Sequence, residues 1–323
     1  MKACALIMDD DGSVRPYSDG GLEPEAGRPL ILLVHGYNND PRDAAESYFA
    51  MRCNLDNLLR LNQAGKALRK EFQSRMWELY WPGYMPLSRR GSGRQRTTYE
   101  RAPSSLSYSL EVRKARSWVA DGLKRYLTRC APSEVFFIAH SLGCRVVLET
   151  VNRLATSLAS RIQLTGFLLM AGAVPVNMLD NGGLLGPSAK EAHRRYCLHS
   201  WRDGVLKLAF PPGQVLSGEV PPPPNVWPVA TGLSGGPRLL WDLHANTQLN
   251  HGGYWREGLF KGRAALSELC AGIFGVAIER GIQLSELPRV LTASKLSILP
   301  ENQLPSGRLL GSNWLVYRYG PQS

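Results

Sequence analysis

Read for hydrophobic and polar positions, the chain alternates short, nearly unbroken apolar runs with longer segments of helical period. The runs are Leu30–Val34 ("LILLV"), Met76–Trp81 ("MWELYW"), Glu134–Ala139 ("EVFFIA"), Phe167–Ala171 and Arg195–His199, with "RLLWDLH" as the last candidate strand. Between them, "DAAESYFAMRCNLDNLLRLNQ" predicts a helix starting near Pro41–Asp43. Two further helices are predicted, from about Ser109 to Arg129 and over Leu142–Leu158. Apolar runs without polar alternation are strands buried on both faces. Alternating with amphipathic helices, they predict an α/β fold: a mostly parallel sheet covered by helices on both sides.

Two segments break this rhythm. "PVNMLDNGGLLGPSAKEAHR" follows one strand and "FPPGQVLSGEVPPPPNVWPVATGLSGG" follows the next helix, both too rich in Gly and Pro for long helices. With the Arg-rich stretch they define loop or lid insertions at about 82–104, 174–194 and 211–237. Pro221–Pro224 would run as extended polyproline, a form that aromatic grooves can bind. No internal repeat or domain boundary is visible. The expected organisation is a single domain over residues 1–323, with a core at about 28–262 and an extension at about 263–323. That extension holds one further predicted helix ("GRAALSELCAGIFGVAIERG") and a tail without a functional reading.

Composition narrows the class. At 44% hydrophobic and 20% charged residues, the 323-residue chain reads as an ordinary globular protein with an ample core. No apolar run approaches the roughly 18 residues of a membrane span. "MKACALIMDDDGS" is too short in its apolar part for a signal peptide, so a cytoplasmic location is expected. Six cysteines (Cys4, Cys53, Cys130, Cys144, Cys197, Cys270) show neither zinc nor disulfide spacing, and buried, reduced thiols are expected. The net charge of +11 is partly local, since Arg89, Arg90, Arg94, Arg96 and Arg101 face only Glu100. Such a cluster is either a solvated loop or an anchor for an anionic membrane surface. Nucleic acid is disfavoured, because no interleaved aromatics or nucleic-acid motif accompany the charge.

The chemistry-bearing stretch is "VFFIAHSLGCRVVLETV", a buried strand that turns through Ser141 directly into a helix. A serine hydroxyl is a weak nucleophile until a base takes its proton. A sharp strand-to-helix turn exposes its oxygen and sets the next N–H, that of Leu142, at the positive end of a helix. Small residues two positions either side, Ala139 and Gly143, let strand and helix pack closely. "AHSLG" resembles the nucleophile elbow of α/β-hydrolases, with alanine for the first glycine. "LLVHGYNND" resembles the oxyanion loop of lipase-like members, and HGYNN, "LYWPGY" and "HGGYW" resemble a bacterial group of esterase-like hydrolases. The resemblance runs from about Leu30 to Trp255.

That resemblance implies the order Ser, acid, His. His35 and His140 fall in the oxyanion loop and elbow, where they order backbone. His193 and His199 precede the expected acid, which leaves His251 in "LNHGGYW" and His244 as its alternative. Asp203, just beyond a strand end, is the expected acid; Asp180 is the rival and Asp242 a weaker third. The Tyr37 N–H, after His35 and Gly36, is the implied second oxyanion donor, with Asn38 and Asn39 bracing the loop. No metal or cofactor is implied. Met178, Leu179, Leu184, Leu185, Val226 and Trp227 are candidates for an apolar acyl pocket or lid. Together with the Arg-rich loop they point to a lipase, esterase or phospholipase, with delivery to rival bacteria as a toxin as one setting. The competing classes are a silent hydrolase-fold scaffold and a basic binder of nucleic acid or anionic surfaces.

Overall fold

The computed structural model describes residues 4–17, 22–37, 39, 41–61, 66–83, 105–156, 162–219 and 227–255. The Arg-rich loop, Pro221–Pro224 and the expected C-terminal helix and tail lie outside them.

Eight strands form one sheet: β1 (Ala5–Met8), β2 (Val14–Pro16), β3 (Leu30–Val34), β4 (Met76–Tyr80), β5 (Glu134–His140), β6 (Gln163–Met170), β7 (Arg194–His199) and β8 (Leu243–Asn246). Their spatial order is β2-β1-β4-β3-β5-β6-β7-β8. Only the β1–β2 pair is antiparallel. The helices are α1 (Pro41–Leu61), α2 (Lys66–Ser74), α3 (Ser105–Lys114), α4 (Ala120–Cys130), α5 (Leu142–Ala155), α6 (Val176–Leu179), α7 (Gly186–Ala189), α8 (Gly204–Leu208), α9 (Phe210–Leu216) and α10 (Thr231–Ser234). The fold is the α/β architecture that the apolar pattern predicts.

Every residue of β3, β4 and β5 is buried, as central strands covered on both faces must be. From β3 the chain steps outward to β4, then crosses back to place β5 on the other side of β3. Where strand order reverses in this way, loops part at the carboxyl edge and leave a crevice. The loops that follow β3 and β5 both leave from that edge.

Three local departures from the expected elements have clear causes. The sheet begins well before residue 28, because "ALIM" and "VRP" pair as a small hairpin, and β1 then docks in parallel beside β4. Those runs are too short to register as strands until a neighbour supplies their hydrogen bonds. The helix expected at 109–129 starts at Ser105 and is split by a π-helical segment, Ala115–Val119. There Ser117 leaves helical geometry (φ −103°, ψ −107°), and its hydroxyl donates to the Arg113 carbonyl at 2.7 Å. Finally, "RLLWDLH" is a 3₁₀ turn at Arg238–Leu240 followed by β8. The buried Trp241 stops that turn, its indole N–H donating to the Gly235 carbonyl at 3.0 Å.

Among the described residues of the Gly/Pro-rich insertions, the helices are short. Pro211 and Pro212 open α9 within its first turn, where a missing N–H costs nothing. Arg145, on α5, is the largest fully buried side chain among the described residues. It holds Glu149 at 2.7 Å and Glu219 at 2.9 Å, tying the 211–237 insertion to α5.

Candidate active site

At the end of β5 the backbone turns through Ser141 with φ 54° and ψ −122°, a conformation that side-chain-bearing residues rarely adopt. Hydrogen bonds over-determine it. The Ser141 N–H donates to the Met170 carbonyl at 2.9 Å, and the Ser141 carbonyl accepts from Ala173 at 3.0 Å and Cys144 at 3.1 Å. The last residues of β6 and the first turn of α5 therefore hold the bend from both sides.

Close approach sets the residues around it. A Cβ on Gly143 would lie 2.3 Å from the His35 carbonyl oxygen, so only glycine lets α5 pass under the loop after β3. On Gly36 a Cβ would lie 2.7 Å from the Ser141 Cβ, which puts the HGY loop directly against the serine. Ala139 is fully buried between Val34 and Leu169, so its methyl, absent from the usual elbow, fits.

The serine hydroxyl lies 2.9 Å from His251 Nε2, and His251 Nδ1 lies 2.8 Å from Asp203 Oδ2. Asp203 caps α8: its other oxygen, Oδ1, accepts from the Leu206 N–H at 3.0 Å. Wholly buried, with one oxygen on backbone and one on imidazole, the carboxylate holds His251 with its proton on Nδ1 and its lone pair toward Ser141. The His251 side chain keeps 19% of its surface exposed.

The HGY loop is clamped from below. The His35 ring stacks on Trp81, with centroids 5.5 Å apart and planes 15° from parallel. Trp81 donates its indole N–H to the His35 carbonyl at 2.9 Å and its backbone N–H to His35 Nε2 at 3.3 Å. His35 Nδ1 lies 2.8 Å from the Gly36 carbonyl, and the His35 N–H donates to the Tyr48 hydroxyl at 2.8 Å. Asn39 Nδ2 donates to the Gly36 carbonyl at 3.2 Å, while Asn38 lies outside the described residues. Tyr48 escapes sequence reasoning altogether, since a tyrosine inside a helix carries no local signal. Trp81 was visible only as part of the "LYWPGY" resemblance.

The rival residues are elsewhere. Asp180 ends α6, where its carbonyl accepts from Gly183. Asp242 pairs with Arg195 at 2.9 Å, at the amino end of β7. The His244 ring stacks on His199 at 6.1 Å. Of the proposed apolar lining, Met178, Leu179 and Leu185 are buried, whereas Leu184 and Trp227 are exposed; Val226 lies outside the described residues. A feature not foreseen is the exposed apolar group on and before α8, Trp201, Val205 and Leu208, immediately around Asp203.

Burial pushes the thiols up, Cys53 to about 12 and Cys130 to about 11. Cys4, Cys144 and Cys197 rise for the same reason, and all five described cysteines are free. Among the described residues, no group of three or more His, Cys, Asp or Glu side chains is placed to hold a metal ion.

Residues 101–191, which include the elbow, match the sequence model of the serine hydrolase family. The matched segment covers less than a third of the chain and includes β5, α5 and β6 of the mostly parallel sheet. That segment contains Ser141 but neither Asp203 nor His251, which arrive from the loops after β7 and β8. Among solved structures, one similar to this chain is a predicted CIB-like hydrolase from Thermoplasma acidophilum. It is 14% identical, the match covers 77% of this chain and 89% of that one, and the TM-score is 0.37. No curated protein matches the chain. Among the described residues, no helix is long and apolar enough to cross a membrane.

Proposed function

We propose that the protein is a serine hydrolase that cleaves carboxylic esters through an acyl-enzyme, with Ser141 as nucleophile, His251 as base and Asp203 as its orienting acid. The observation that carries this reading is the unbroken line Asp203–His251–Ser141, with contacts of 2.8 and 2.9 Å. Ser141 Oγ attacks the ester carbonyl carbon while its proton passes to His251 Nε2. The carbonyl oxygen takes the negative charge beside the N–H groups of Leu142 and Tyr37, each worth about 3 kcal/mol of barrier. Collapse breaks the acyl–oxygen bond, and His251 returns the proton to the leaving alcohol. Water then attacks the acyl carbon, gives its proton to His251, and releases the acid with Ser141 reprotonated.

The apolar acyl side of a lipase- or esterase-type substrate is supported by the exposed Trp201, Val205 and Leu208, which flank Asp203 along the chain. A silent scaffold would have no use for a strained serine within hydrogen-bond reach of an imidazole that a buried carboxylate orients. The test is labelling with a fluorophosphonate probe, which reacts only with an activated serine. Wild type should label and Ser141→Ala should not; silence in both would favour the scaffold.

A further inference from the structure

We propose that His140 is a positioning residue: its Nε2–H tethers the carbonyl of His251 and so fixes the backbone that carries the base. This deepens the serine-hydrolase reading and rests on it. His140 is the last residue of β5, one position before the serine, and its Nε2 lies 2.7 Å from the His251 carbonyl oxygen. A carbonyl only accepts, so Nε2 must carry the proton. The other ring nitrogen, Nδ1, is buried among atoms that offer it no hydrogen bond and faces Gly36, where a Cβ would stand 3.2 Å away. One ring thus touches the oxyanion loop on one side and the His251 turn on the other.

The base needs such a tether. His251 opens a 3₁₀ turn of three residues, His251–Gly253, whose N-cap Asn250 makes no side-chain cap. Asp203 restrains the imidazole, and the turn's own bond, from the Gly253 N–H to the Asn250 carbonyl at 3.0 Å, stays within the turn, whereas the His140 bond ties it to the end of β5. The His140 ring packs 4.9 Å from the His251 ring and 5.9 Å from those of Tyr254 and Trp255, all tilted. It must also stay uncharged, since a cation at that distance would oppose the charge that His251 acquires in turnover. Burial, then the neighbouring His251, hold it neutral down to a pKa of about 3, with His35 adding to the effect. The titratable groups acting from the packed elements are His251, Tyr254 and His35. His140 touches neither substrate nor reacting atoms.

Two variants separate tethering from space-filling. His140→Phe keeps a ring but loses the donor; His140→Gln keeps a side-chain N–H at similar reach. With a soluble short-chain ester, His140→Phe should lower kcat on the order of 100-fold, the scale of a roughly 1 Å misplacement, with KM within about twofold. His140→Gln should restore kcat to within about tenfold of wild type. The acid limb of the kcat/KM profile should move in the Phe variant and return in the Gln variant. Wild-type kcat in His140→Phe, or a Gln variant no better than a folded Phe variant, overturns the proposal. A measurement on the wild type needs neither variant to fold: long-range proton–nitrogen NMR of the ring should show a neutral Nε2–H tautomer throughout pH 5–8. An Nδ1–H tautomer, or a ring titrating in that range, overturns it. The NMR result needs no turnover, so it stands even if wild type neither labels nor hydrolyses, a failure of the serine-hydrolase reading alone.

Discussion

The decisive residues act by contact at atomic range, and their substitution effects follow from what each one touches. Asp203→Asn leaves a cap for α8 but offers His251 the wrong partner for its Nδ1 proton. His251→Gln removes the base. Each should cut ester turnover about 10³-fold or more, read as kcat/KM on a soluble ester, and near-normal rates in either would reject the assignment. Gly143→Ala tests packing: its methyl would stand 2.3 Å from a backbone carbonyl that the Trp81 clamp cannot release. The urea midpoint should fall by the equivalent of ~2 kcal/mol or more, and probe labelling should fall with it. Much of this was legible in the letters. "AHSLG" fixes both the serine and its small neighbours, and "HGY" fixes the loop against it. What letters could not carry is distance: Asp203 and Asp180 each follow a strand, and only folding brings one of them to His251.

At the scale of elements, α5 both supports the proposed nucleophile and carries buried charge. Arg145 is 1% exposed, and its two carboxylate partners, Glu149 and Glu219, are equally enclosed. Arg145→Ala removes the most buried of their cations, leaving Glu149 to Arg153 at 2.7 Å and Glu219 to Arg116 at 3.3 Å and the Gln214 amide at 2.7 Å, and should cost about 3 kcal/mol in denaturant unfolding. Replacing Arg145, Glu149 and Glu219 together by apolar residues of similar volume should cost less, since the cations that then lose a partner, Arg116 and Arg153, are 49% and 23% exposed. Central strands and long helices were readable from the pattern because burial on two faces leaves unbroken apolar runs. The edge hairpin of β1 and β2 was not, for three- and four-residue strands owe their existence to neighbours. Nor was the π-helical break at Ser117, where "RKARSWVADG" keeps a helical pattern.

For the molecule as a whole, buried ionisable rings make stability depend on pH. The His140 ring titrates at about 3 when folded, against an ordinary value of 6.5. Between those values the unfolded chain binds the extra proton, so acid favours unfolding. The contribution is fully present above about pH 6.5 and shrinks as pH falls toward 3, by up to about 1.4 kcal/mol per pH unit. Urea midpoints between pH 7 and pH 4 should therefore drop less in His140→Gln than in wild type; parallel curves would remove His140 as the cause.

The machinery is also divided along the chain. The hydroxyl and its cradle are complete by about residue 175, whereas acid and imidazole hang from the two strands that close the far side of the sheet. A product cut short before residue 200 would keep its reactive-looking serine yet have nothing to deprotonate it. Duplicates or fragments of this gene that lose their last third would turn inert in a single event, long before their elbow changed by one letter.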